Sequence, residues 1–202
     1  MKRLLPLNLS MGPGERGFSL MEMLVVVAIG GILAAMAAPS LISVIESNRR
    51  ITISNQLMED LAFARRQAIA LSTSVALCGS HATNQNQCIS GGASPTDWSN
   101  GWYTYIGSSN ELTPASAAAG LVLRSPQALP SGWKVDARLS NPYNFVYMGA
   151  RSTTNKFGNF TIYRIGSATA ACVVISPTGR ARAYTVKAAS GVVSTSSDLC
   201  GS

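Results

Sequence analysis

The chain has 202 residues, of which 47% are hydrophobic and 12% charged, and its 16 Lys and Arg against 9 Asp and Glu give a net charge of +7. The high apolar fraction excludes a disordered chain, and the length permits one domain with an appendage rather than two large domains. Only one long apolar stretch is present, which excludes a multi-span membrane protein, and the single histidine, His81, leaves little material for His-based catalysis.

The N-terminal region contains the long apolar stretch. Residues 23–45 include no charged side chain, and about 20 apolar residues are enough to cross the hydrocarbon core of a membrane. Lys2, Arg3 and Arg16 precede this run, and basic residues tend to remain on the cytoplasmic side. The sequence therefore predicts a membrane helix at about residues 18–40, with the bulk of the chain on the outer side of the inner membrane.

Two features separate this segment from an ordinary secretory signal. No A-x-A-like cleavage site closes it, and an acidic residue, Glu22, stands at the start of the apolar run. The string GERGFSLMEMLVVVAIGGILAAMAAPSL resembles the class III signal of type IV prepilins and pseudopilins. This resemblance implies that a prepilin peptidase removes a leader, residues 1–17, by cleaving after Gly17, and that Phe18 becomes the N-methylated first residue.

The same resemblance assigns assembly roles to two residues. Glu22 takes the fifth position of the mature chain, where the family has an invariant carboxylate, and Pro39 matches the family's helix-kinking proline. An unpaired buried charge is costly, so a Glu22 carboxylate beside the Phe18 ammonium of a neighbouring subunit would favour one register of assembly. The alternative is that Glu22 lies at the headgroup level of a simple membrane anchor.

After Pro39 the pattern becomes that of an amphipathic helix. One face carries an apolar stripe whose members are Leu57, Leu61, Ala64, Ala68 and Leu71. We therefore predict one long helix over residues 18–72 whose second half packs on a sheet. Arg65 and Arg66 lie off the stripe, and we expect them to be part of a solvated face.

Residues 73–202 have the pattern of a β-rich globular head, in which short apolar runs alternate with Gly, Pro, Ser and Asn clusters. The predicted strands are Thr73–Cys78, Gly101–Ile106, Gly120–Leu123, Trp133–Ala137, Asn144–Met148, Asn159–Ile165, Ala171–Ser176 and Arg180–Val186. The predicted fold is α+β and pilin-like, with the long N-terminal helix packed on a mainly antiparallel head.

Four cysteines lie in this head, and four cysteines allow three disulfide connectivities. In an oxidising envelope we favour Cys78–Cys88, which closes a short loop, and Cys172–Cys200, which ties the C-terminal tail to a strand. The alternative is a zinc site made by Cys78, His81 and Cys88, but a structural zinc site usually needs four ligands and no local fourth ligand is present. We expect no metal and no other cofactor.

The sequence of the head resembles, more specifically, that of the GspH/FimT family of minor pilins and pseudopilins. The strings that carry it are VALCGS, Cys88, WSNGW at residues 98–102 and SPTGRAR at residues 176–182. Family members are low-abundance filament-tip subunits that help to start assembly, and some FimT members bind DNA during natural transformation through a GRxR motif. Residues 179–182, Gly-Arg-Ala-Arg, match that motif. The resemblance implies a subunit of the pilus whose partners are other pilins, the prepilin peptidase and double-stranded DNA.

The chemistry of the motif agrees with that implication. Gly179 follows a Pro-Thr pair in a tight-turn string, and in an extended strand Arg180 and Arg182 point to the same face. Two guanidinium forks on one face suit phosphate groups, without base readout and with salt dependence. Lys187 is a possible addition, and residues 124–202 carry the basic excess, nine basic against two acidic side chains.

Two other functions remain open at this stage. A GspH-like pseudopilin of a type II secretion system would contact exported proteins instead, and a tip adaptor without a ligand would have a purely structural role. Catalysis is not expected, because no nucleophile–base pair or carboxylate cluster stands out in the sequence.

Overall fold

The computed structural model describes residues 17–81, 88–89, 96–107, 121–140, 144–149, 158–188, 191–193 and 199–200. The chain forms two compact units, residues 1–45 and residues 46–202. We call the second one the head unit. It begins within the long helix, so it includes helical residues that precede the predicted boundary at residue 73.

Helix α1, Leu20–Ala70, is the only helix in the described part of the chain. It begins at a cap in which the Glu22 backbone N–H donates to Ser19 Oγ over 3.2 Å, and Glu22 lies in the first turn, where a negative charge is favourable. An 18-residue window of α1 reaches a mean hydropathy of 2.3, and its large apolar side chains up to Ile45 are exposed in the isolated chain. This part of α1 is long and apolar enough to cross a membrane.

The helix ends with two hydrogen bonds typical of a Schellman motif. The Thr73 N–H donates to the Ala68 carbonyl over 3.2 Å, and the Ser72 N–H donates to the Ile69 carbonyl over 3.3 Å. Ser72 has a φ of 49°, the left-handed conformation that glycine usually adopts at this position. The chain thereby turns from the helix into the first strand.

Eight strands follow in the part of the chain that the structure describes, and each corresponds to a predicted one with ends that differ by at most two residues. They are β1 Val75–Gly79, β2 Trp102–Ile106, β3 Val122–Arg124, β4 Trp133–Leu139, β5 Asn144–Tyr147, β6 Gly158–Arg164, β7 Thr169–Ile175 and β8 Ala181–Lys187. They form two four-stranded sheets, β3-β2-β1-β5 and β4-β6-β7-β8, in which all neighbouring strands are antiparallel. The α+β fold class is confirmed.

The core of the head unit lies between α1 and both sheets. Four members of the predicted helix stripe, Leu57, Leu61, Ala64 and Ala68, are fully buried there. The prediction for the fifth, Leu71, was wrong: its side chain is 48% exposed because α1 has already ended at Ala70. Strand residues complete the core together with Trp98, a loop residue that packs edge-on against Phe160 of β6 with 5.0 Å between ring centroids.

Two disulfides are present, one on each sheet. Cys78 of β1 is bonded to Cys88, and Cys172 of β7 is bonded to Cys200. Because the sulfurs of Cys78 and Cys88 are bonded to each other, neither is available as a thiolate for the zinc site that the sequence left open with His81. Groups of three or more possible metal ligands are absent from the described residues.

Candidate nucleic-acid interface

The turn between β7 and β8 presents the Gly-Arg-Ala-Arg string. The Gly179 N–H donates to the Ser176 carbonyl over 2.8 Å, and the Ser176 N–H donates to the Arg180 carbonyl over 3.0 Å. Ser176 Oγ also accepts from the Arg180 N–H over 3.2 Å. Gly179 has a φ of 78°, a conformation in which a residue with a side chain is strained. The turn is therefore closed by its own backbone bonds and needs glycine at this position.

A tyrosine from the other sheet fixes the turn to the core. Tyr147, at the end of β5, is buried, and its hydroxyl donates to the Gly179 carbonyl over 3.1 Å. Burial raises the pKa of Tyr147 above its ordinary value, and the charge of Arg65 only partly opposes this. The hydroxyl therefore stays protonated and remains a donor, so the position of the turn depends on both sheets.

The two arginines of the motif are exposed at and beside this turn. Arg180 precedes β8 and is bonded to Ser176, while Arg182 lies within β8 opposite Val174 of β7. The β7–β8 pairing ends at Ile175 and Ala181, so Arg180 lies in the turn one residue before β8, whereas Arg182 lies within the paired strand. Neither arginine has a carboxylate partner among the residues that the structure describes.

Two helix arginines lie at the same place. A cavity of about 330 Å³ separates the last turns of α1 from the hairpin turn. Its lining residues are Met58, Leu61, Ala62, Arg65, Arg66, Tyr147, Gly179, Arg180 and Ala181. We call this cavity the arginine groove. The sequence predicts that Arg65 and Arg66 are part of a solvated helix face. Their proximity to Arg180 depends on a long-range contact that no local pattern reveals.

The structure does not bring Lys187 to this site. Lys187 lies at the far end of β8, opposite Thr169, and about 17 Å from Arg182 at the rise of an antiparallel strand. Five positions separate the two residues, so their side chains point to opposite faces of the sheet. Arg164 is also remote from the turn. It follows Tyr163, which pairs with Ala170 near the start of β7, whereas the turn follows the end of β7. Arg164 forms an ion pair with Glu46.

The carboxylates of the helix near the groove are engaged elsewhere. Asp60 is buried, accepts from Trp102 Nε1 over 2.8 Å, and pairs with Arg124 over 2.5 Å. Glu59 also pairs with Arg124, over 3.2 Å, and the Arg124 guanidinium lies 4.1 Å from the ring centroid of Phe63. The hydrogen bond with Asp60 raises the pKa of Arg124 above its ordinary value. None of these acidic groups lines the arginine groove.

The residues predicted for leader cleavage and assembly belong to the first unit, residues 1–45. Gly17 and Phe18 precede α1, and the Phe18 side chain is 74% exposed. Glu22 follows within the first helical turn. Pro39 lies within α1.

Comparisons with known proteins found matches to both the N-terminal segment and the head of the chain. A family model described as type II transport protein GspH matches residues 54–179, which is more than half of the chain. The chain belongs to the GspH family. A second model, the prokaryotic N-terminal methylation motif, matches residues 13–38 and so covers Gly17, Phe18 and Glu22. The chain matches none of the curated proteins with which it was compared.

Two solved structures resemble the fold. Both are of the Pseudomonas aeruginosa type IV minor pilin FimU, in two crystal forms. One has a TM-score of 0.50 and 16% identity, covering 69% of this chain and 90% of FimU. The other has a TM-score of 0.46 and 15% identity, covering 66% and 90% of the two chains. The first likeness confirms the pilin-like fold, with one long N-terminal helix packed on antiparallel sheets.

Proposed function

We propose that this GspH-family protein is a minor type IV pilin that helps to prime or cap pilus assembly and binds double-stranded DNA without sequence preference for uptake. The observation that carries the DNA proposal is the hairpin turn. Arg180 and Arg182 are exposed at this turn, which the hydrogen bond from Tyr147 to the Gly179 carbonyl fixes to the core. Neither arginine has a carboxylate partner among the described residues. Guanidinium groups held in this way bind phosphates through charge-assisted forks. The role is structural and binding rather than enzymatic.

The N-terminal segment supports the pilin half of the proposal. In this proposal the prepilin peptidase cleaves after Gly17 and Phe18 is N-methylated, so that α1 stays attached to the mature chain. The protein is held in the inner membrane with a periplasmic head until it joins the pilus, and its partners are other pilins. Mass spectrometry of the protein from the membrane should find a mature chain that begins with methylated Phe18. A native product that retains Met1 would overturn the processing step.

A second experiment tests the assembly role of Glu22. We expect Glu22→Ala to prevent incorporation into filaments, because the ammonium of Phe18 on a neighbouring subunit loses its partner. The Glu22 backbone N–H also takes part in the helix cap, so a control must separate the cap from the carboxylate. Ser19→Ala is that control, because it removes the hydrogen bond from the Glu22 N–H and keeps the carboxylate. Normal incorporation of the Glu22 variant, measured by shearing filaments from cells, would count against the pairing.

The DNA proposal is tested by titrating labelled duplex DNA with the full-length protein in detergent at several salt concentrations. We expect Arg180→Gln with Arg182→Gln to abolish binding. The corresponding double Lys variant should retain part of the affinity, since it keeps the charge and loses the planar forks. Arg49→Gln, at an exposed position on α1, controls for the loss of a positive charge elsewhere on the head unit. Unchanged affinity of the double Gln variant at every salt concentration would show that the motif does not bind DNA.

The alternative is a GspH-like pseudopilin of a type II secretion system that contacts exported proteins. The observation in its favour is the description of the matching family, a type II transport protein. The two functions differ in their ligand. A pseudopilin should bind an exported protein and should tolerate the double Gln variant of Arg180 and Arg182 in a secretion assay.

A further inference from the structure

The arginine groove offers more positive charge than the hairpin motif alone. Its two walls are different elements: the last turns of α1 contribute Arg65 and Arg66, and the β7–β8 turn contributes Arg180. Arg66 is exposed and Arg65 is partly exposed, so both side chains are accessible to a ligand. The Tyr147 bond to the turn keeps the second wall in place. The groove is thus a cleft whose walls belong to one folded unit.

The lining of the groove suits a phosphodiester backbone. No lining residue is acidic, and the acidic side chains of the adjoining helix segment, Glu59 and Asp60, are paired with Arg124. The remaining lining residues are apolar or backbone, apart from a tyrosine whose hydroxyl already donates to the turn. Apart from its three arginines, which attract any strand of phosphates, such a cleft has no lining side chain suited to reading base edges.

We propose that the arginine groove is a second half of the DNA site, in which Arg65 and Arg66 bind phosphates of the strand whose neighbouring phosphates are bound by Arg180. This inference rests on the proposed DNA function and adds the helix to it. DNA carries one charge per about 3.4 Å of axis on each strand, so a strand that crosses the groove brings several phosphates to its two walls. The motif then determines where the strand enters, and α1 determines its direction across the head unit.

The experiment uses the full-length protein in detergent and the same labelled duplex. Arg65→Gln with Arg66→Gln leaves the motif intact, and we expect it to weaken binding by about tenfold or more at low salt. The plot of log affinity against log salt should become shallower by about 1.8, since two phosphate contacts are lost at about 0.9 each. Arg49→Gln, sixteen residues before Arg65 and about 24 Å away along the helix, should leave both values unchanged.

A gain-of-charge variant tests the groove without removing an arginine. Ala62→Glu places a carboxylate among the lining residues, and we expect it to weaken binding to a degree similar to that of the double Gln variant. Asn48→Glu adds the same charge at an exposed position about 21 Å away on the helix and should have little effect. Circular dichroism and mapping of both disulfides check that each variant is folded.

The outcomes separate the two proposals. If the wild type binds and the variant of Arg180 and Arg182 does not, while the Arg65 and Arg66 variant binds like wild type, the groove is not part of the site and only this inference fails. In that case the helix arginines form a solvated face or an interface with a neighbouring subunit. If the wild type does not bind duplex DNA at any salt concentration, the proposed function fails and this inference fails with it.

Discussion

Six arginines of the head unit fall into two sets that differ in their surroundings. In one set each guanidinium has a described partner within the fold: Arg124 pairs with Glu59 and Asp60, and Arg164 pairs with Glu46. In the other set none has a carboxylate partner among the described residues. Its members are Arg65, Arg66, Arg180 and Arg182. The first set holds the helix to the sheets. The second set is the one that we propose binds DNA.

This difference explains why net charge alone is a poor guide to the site. A partnered guanidinium contributes little to the potential outside the protein, because its carboxylate cancels most of the charge. Arg124 and Arg180 carry the same formal charge, yet only Arg180 lines a cavity without an acidic neighbour. The comparison therefore predicts a separation of effects: changes in the first set should reduce stability, and changes in the second should reduce affinity.

The largest expected effect comes from breaking the buried member of the first set. Asp60→Ala removes the acceptor of Trp102 Nε1 and leaves Arg124 without its nearer carboxylate. We expect the free energy of unfolding to fall by about 2–3 kcal/mol, below the range for a fully buried pair because Arg124 is partly exposed. Denaturant unfolding followed by tryptophan fluorescence measures it.

Its matched control is the neighbouring acidic residue. Glu59→Ala removes a second ion pair to Arg124, but the Glu59 side chain is 65% exposed, and such exposed pairs contribute only about 0.2–1 kcal/mol. DNA affinity should be unchanged in both variants. A loss of affinity in the folded Asp60 variant would mean that the two sets are coupled and that the comparison is too simple.

A smaller change in stability, of opposite sign, sharpens the same comparison. Ser72 occupies the left-handed position at the end of α1, which costs a residue with a side chain about 1 kcal/mol. Ser72→Gly should therefore raise the free energy of unfolding by about that amount, as measured by the denaturation midpoint. Affinity for DNA should remain the same, because the Schellman bonds of Thr73 and Ser72 use only backbone atoms. A destabilised Gly variant would contradict the strain argument.

Local sequence patterns were sufficient to predict the elements of this fold. The period-two alternation of residues such as Phe160 and Ile162 predicted β6, and the apolar stripe from Leu57 to Ala68 predicted the buried face of α1. Both patterns involve only residues close together in the sequence, so they can be recognised without knowledge of the tertiary structure. Leu71 was the exception, because the end of the helix is set by the conformation of Ser72 and not by hydrophobicity.

The site was only partly accessible to the same reasoning. Arg180 and Arg182 are recognisable because the turn and the strand that present them are local. The grouping of Arg65 with Arg180 depends on how α1 lies against a hairpin more than a hundred residues later. The burial of Asp60 has the same origin, since Trp102 and Arg124 reach it from strands distant in sequence.

The smallest expected effect concerns Asp97, which pairs with Lys134 over 3.1 Å and accepts from the Ser99 N–H over 2.9 Å. Partial burial raises the pKa of Asp97, but the hydrogen bonds from Ser99 and Lys134 outweigh it, so the pKa lies below the ordinary value of 3.8. A carboxyl group whose pKa is lower in the folded state stabilises the fold fully when the pH is above its pKa in the unfolded chain. This stabilisation disappears as the pH falls through its pKa in the folded protein.

Asp97→Asn should therefore cost less than about 1 kcal/mol at neutral pH, because the pair is about one-third exposed. The difference from wild type should shrink as the pH falls below 3.8 and disappear in stronger acid. Denaturation midpoints measured from neutral pH into this acid range test the prediction. A difference that stays constant across the range would mean that the shape of the side chain, rather than the charge of Asp97, contributes the stability.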